Sequence, residues 1–119
     1  MIAHNSGFDS SFLKASMDRY NIYWTFGFRT IDLHTIAYIE LLKMGAEIPL
    51  IYGTSALSLN KILEIVGLPK EPDPHNALNG AKYETEAMYR LVYGINGVEE
   101  FKNYAIPNNL AKVKQATLF

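Results

Sequence analysis

The chain has 119 residues, 49% of them apolar and 13% aromatic, with a formal net charge of -1 and no cysteine. That length suits one buried core, and the composition excludes a disordered chain, a disulfide framework and any thiolate metal site. A near-neutral charge also excludes the broad basic field that drives nonspecific duplex binding.

No apolar run approaches the roughly 20 residues of a membrane span. The first residues lack the basic stretch and cleavage pattern of a secretory signal. A cytoplasmic protein with no membrane partner is therefore expected.

In chain order, Met1-Ile2-Ala3 reads as the end of a strand. Ser6-Gly7-Phe8-Asp9 fits the S-x-x-D/E signal of a helix start, and Phe12, Leu13, Met17 and Tyr20 follow on one helical face, so a first helix is predicted to about Tyr20. The aromatic and β-branched residues of 21–30 favour extended backbone, with Gly27 interrupting, and a strand is predicted over 29–32. Leu33, Ile36, Ala37, Leu41 and Met44 mark a second helix that Gly45 stops, and 46–57 reads as a loop.

Ser58 is a good N-cap for a third helix with Leu59, Ile62, Leu63 and Val66 as its apolar stripe, closed by Gly67 ahead of Pro69. A Pro-rich connector over 70–74 follows, and Asp73-Pro74 is predicted to start a long helix with Ala81, Met88 and Val92 on one face, ending near Gly94. The remaining tail, with a short amphipathic piece from Leu110 to Val113, is expected to pack loosely.

Two clusters carry side chains of chemical use: His4-Asn5-x-x-Phe8-Asp9, and His75-x-Ala77-x-x-Gly80-Ala81-x-x-x-Thr85. Each also has a plain structural reading. Asp9 suits the third position of a helix, pairing back toward the Ser6 amide. His4 and Asn5 could tie off a strand-to-helix turn, and His75 could cap the long helix. His34 reads as a surface or helix-start histidine, and Tyr83, Tyr89 and Tyr93 as packing residues.

Taken together, the clusters resemble the second and third motifs of the DEDDh 3′–5′ exonucleases, the superfamily of proofreading subunits and ribonuclease T. In that family HNxxFD and HxAxxDAxxxT flank two helices. The intervening TIDLHTIAY and LSLNKILEIVGLP are similar to its strand-to-helix segment and to its helix before the third motif, so the resemblance spans residues 1–93. It implies an α/β fold class: the C-terminal part of a ribonuclease H-like exonuclease fold, mostly helical, with one or two strands and without the first three. Residues 94–119 would then be a C-terminal extension.

The resemblance also implies chemistry. Hydrolysis of a phosphodiester at a strand end uses two divalent ions about 4 Å apart, held by carboxylates, with a near-neutral histidine taking the proton from the attacking water. Hard oxygen ligands suit magnesium or manganese. Carried over by position, Asp9 matches a metal ligand, His75 the catalytic general base, and His4, Asn5 and Phe8 the substrate-binding residues.

Two family features have no counterpart. The D-x-E pair of the first strand is not among these residues, and Gly80 stands where the family has its fourth carboxylate. One aspartate cannot hold two solvated divalent ions. Of the nearby Asp73, Glu84 and Glu86, only Glu84 shares the helical face of Gly80. The expectation is a truncated exonuclease, inactive as this chain alone, or else a noncatalytic remnant that binds nucleic-acid ends or protein. The expected partners are a single-stranded DNA or RNA 3′ end, a choice these motifs do not encode. A second copy or another chain is expected to cover the face of the missing strands.

Overall fold

The computed structural model describes residues 1–111. Its regular elements are β1 (Ile2–Ala3), α1 (Ser6–Arg19), β2 (Ile31–Asp32), α2 (Leu33–Lys43), β3 (Leu50–Ile51), β4 (Thr54–Ser55), α3 (Leu59–Ile65) and α4 (Ala77–Tyr93), followed by a 3-10 turn at Glu99–Phe101. This is a small α/β architecture, mostly helical. β1 and β2 run parallel, Ile2 beside Ile31 and Ala3 beside Asp32. No helix among the described residues is long and apolar enough to cross a membrane.

An additional hairpin, β3–β4, occupies part of the span expected to be a loop. Its two turn residues, Tyr52 (φ 50°) and Gly53 (φ 77°), both lie in the left-handed region that a tight two-residue hairpin requires. Glycine adopts this freely, whereas Tyr52 does so against its own preference.

Helix ends follow local capping chemistry in three of the four helices. Asp32 caps α2, the Ser58 hydroxyl accepts from the Lys61 N–H for α3, and the Asn76 side chain accepts from the Leu78 and Asn79 N–H groups for α4. The long helix therefore starts at Ala77, not at Asp73-Pro74. α1 departs from its predicted start: Asn5, in left-handed geometry, is the N-cap and makes no side-chain capping bond, while Ser6 is already helical.

The core forms where α2, α3 and α4 meet, from Leu33, Ala37, Leu41, Leu57, Ile62, Leu63, Val66, Leu68, Ala87 and Leu91. The predicted stripes of the second and third helices are the ones buried. On α4 the buried face is Gly80, Glu86, Ala87, Arg90 and Leu91, so Ala81 faces out. α1 buries only Ser6; of its predicted apolar face Leu13 and Met17 are half-buried, while Phe12 (68%) and Tyr20 (72%) stay exposed.

Residues 94–111 pack tighter than their composition suggests. Phe101 and Leu110 join the core, and the Arg90 guanidinium donates to the carbonyls of Phe101, Tyr104 and Ala105. The predicted amphipathic piece runs past Ala111 and so lies partly outside the described residues.

Candidate functional site

Parallel pairing of two short strands brings the start of α1 beside the start of α2, and Asp32 joins them. Its Oδ2 accepts from the Ser6 N–H (2.7 Å) and hydroxyl (3.1 Å), and its Oδ1 from the N–H groups of His34 (2.9 Å) and Thr35 (3.3 Å). One carboxylate thus satisfies orphan donors of two helices. Burial opposes its ionisation, but the bonds from Ser6, Thr35 and His34 outweigh that and hold the carboxyl below its ordinary value. The Ser6 amide expected to pair with Asp9 is therefore taken by Asp32, and Asp9 stays exposed.

The first motif divides between two openings. His4 donates from Nε2 to the Leu57 carbonyl (2.9 Å), its ring edge-on to His34 at 6.1 Å. His34 shares a hydrogen bond with the Ser55 hydroxyl (2.9 Å). His4, Asn5, Asp32, His34 and Ser55 line a cavity of about 610 Å³, so His34, a helix-start histidine in the first turn of α2 as expected, also forms part of a cavity wall. Phe8 and Asp9 line a different, shallower groove of about 450 Å³ with Met1, Phe12 and Leu13. Met1 also borders a groove of about 860 Å³ walled by Lys14, Trp24, Phe26 and Phe28. The segment expected to be extended thus supplies exposed rings, Tyr23 and Phe28 above all.

The second motif brings in a residue without a sequence signal. His75 is largely exposed, and its Nδ1 lies 2.9 Å from Glu71 Oε1. The Glu71 side chain is only 11% exposed, and Oε1 is buried without a hydrogen bond. Gly80 faces both groups: a Cβ there would lie 3.3 Å from His75 Cε1 and 3.4 Å from Glu71 Oε1. A carboxylate from the connector therefore approaches the space that the resemblance assigns to a side chain at position 80.

One turn after Gly80, Glu84 links the two motifs. Burial pushes its carboxyl up; the His4 backbone N–H and ring pull it down, and the charges of Asp9 and Glu71 push it up again. Residues separated by some seventy positions thus share one electrostatic neighbourhood, with Glu84 between them. Its i, i+4 relation to Gly80 was the available signal. Thr85 takes no part, its hydroxyl donating back to the Ala81 carbonyl (2.7 Å).

The donor set does not fit the two-ion centre that the resemblance implies. Among the described residues, no three His, Asp or Glu side chains converge as a group able to hold a metal ion. In comparison with known proteins, the chain matches no family model, and no curated protein or solved structure is significantly similar to it.

Proposed function

We propose that this chain is a relative of the DEDDh 3′–5′ exonucleases, with the C-terminal part of their ribonuclease H-like fold, which engages a single-stranded nucleic-acid end and does not cut it unaided. The observation that carries this reading is the meeting of the two motifs around Glu84, which feels His4 and Asp9 from one and Glu71, the neighbour of His75, from the other. Phe8 (65% exposed), the exposed rings of Phe26 and Phe28 and the half-buried Trp24 beside them offer faces on which bases can stack. Exposed Ile2, Phe12 and Ile31 give a second chain, of the same or another kind, an apolar face to cover. Asp9 alone of the family's four metal-binding carboxylates has a match here, and no step through magnesium or manganese is assigned to these residues.

The test uses a fluorescent single strand, linear or circular, with anisotropy as the readout. The linear strand is expected to bind more tightly, and Phe8→Ala to weaken that binding about tenfold, the loss of one stacked base. Equal affinity for the circle would remove the strand-end reading. Incubation with manganese should leave the strand intact. Shortening that His75→Ala abolishes would show a complete active site and overturn the claim of inactivity.

A further inference from the structure

We infer that Glu71 is a positioning residue for His75, holding the ring proton on Nδ1 so that Nε2 is the nitrogen offered to a bound strand end. This rests on the proposed strand-end binding, with His75, which the resemblance places at the general-base position, as the ring that faces the strand end, and it adds the group that orients that ring.

The three histidines differ in what their nitrogens do. His4 commits Nε2 to a carbonyl, which only accepts, so that nitrogen carries the proton. His34 commits Nε2 to the Ser55 hydroxyl. His75 alone has its contact through Nδ1, at 2.9 Å from Glu71, which leaves Nε2 uncommitted on a ring whose side chain is 72% exposed. Which nitrogen is protonated follows from the bond the other one makes.

Glu71 has a physical need for that proton. Its Oε1 is buried and makes no hydrogen bond, an arrangement that costs free energy until a donor is found. The His75 Nδ1 is within reach but not aligned, and an exposed ring can turn to aim its N–H at the oxygen. Gly80 leaves the room, since a side chain there would press on both the ring and the carboxylate. A carboxylate behind an imidazole is a recurring way to fix tautomer and orientation.

The experiment is ring-¹⁵N NMR on the full chain at pH about 9, where imidazoles are neutral. Wild-type His75 should be protonated mainly on Nδ1, and His4, as an internal reference, on Nε2. Glu71→Ala should shift the His75 tautomer ratio about tenfold toward Nε2–H, whereas Glu71→Gln, whose amide oxygen still accepts, should keep Nδ1–H. An unchanged ratio in Glu71→Ala would overturn the inference. So would a wild-type His75 protonated mainly on Nε2, a result that needs no variant to fold. The expected tautomer in a chain that binds no strand end would support the positioning role and sink the binding proposal alone.

Discussion

Glu86 and Arg90 face each other one turn apart on α4 at 2.7 Å, and both side chains are fully buried. Isolated charges in a core are strongly unfavourable, so the surroundings explain their presence. Arg90 also donates to the carbonyls of Val66, Phe101, Tyr104 and Ala105 and to Asn96, while Glu86 Oε2 accepts from the Gly97 and Val98 N–H groups at 2.8 Å. The pair ties the chain after α4 back onto α3 and α4.

Removing one partner of this pair is therefore expected to cost about 3–5 kcal/mol, because the other charge and several carbonyls lose their partners together. Arg90→Met should show that loss as a lower midpoint in urea unfolding. It is a large part of the roughly 5–15 kcal/mol that a domain of this size commands. A loss below about 1 kcal/mol would mean that the carbonyls find other donors.

Asp32 predicts a dependence on acid. Its carboxyl titrates below the ordinary 3.8 in the folded chain, so its stabilising contribution is fully present above that value. It is lost as pH falls through the lower folded value. Asp32→Ala should cost about 1–2 kcal/mol at neutral pH through the two helix starts it caps. In melts from pH 7 to pH 2, the gap between wild type and variant should narrow below about pH 4. A gap that stays constant would show that the charge contributes nothing beyond the shape of the side chain.

Glu84 behaves in the opposite sense. Burial and the charges of Asp9 and Glu71 raise its carboxyl above the ordinary 4.5 despite the opposing pull of His4. There is no penalty below the unfolded value, where both states are protonated; the penalty grows as pH rises through the folded value and is complete above it. Glu84→Gln keeps an acceptor for the His4 N–H and removes the charge, so at pH 7 it should melt roughly 1–3 °C higher. That gain should vanish near pH 4. A variant that melts lower at pH 7 would refute the crowding of negative charge at this point.

Much of the architecture can be read from local chemistry. The stripes Leu33–Ala37–Leu41 and Ile62–Leu63–Val66 repeat at helical spacing and become the core, and Ser58 and Gly94 mark helix ends by their own capping preferences. The same spacing in Phe12 and Tyr20 correctly predicts a helix, yet both side chains lie in solvent. Periodicity reports the backbone, not whether another element covers the face.

For the candidate site, motif spacing singles out Asp9 and His75 but not their neighbours. Glu71 sits in a Pro-rich connector where nothing local distinguishes it from a solvated acid, and only the path of that connector carries it beneath His75. Likewise Ser6 and Asp9 have the form of a capping box, but Asp32, twenty-six residues on, takes the Ser6 amide. The amino-acid order by itself thus determined the helices and the starts of α2 and α3, since those depend on groups within one turn of each other. Tertiary structure alone decided which charges are buried, which caps are used and which carboxylates meet, because burial and Coulomb energy depend on distance in space and on what excludes water there.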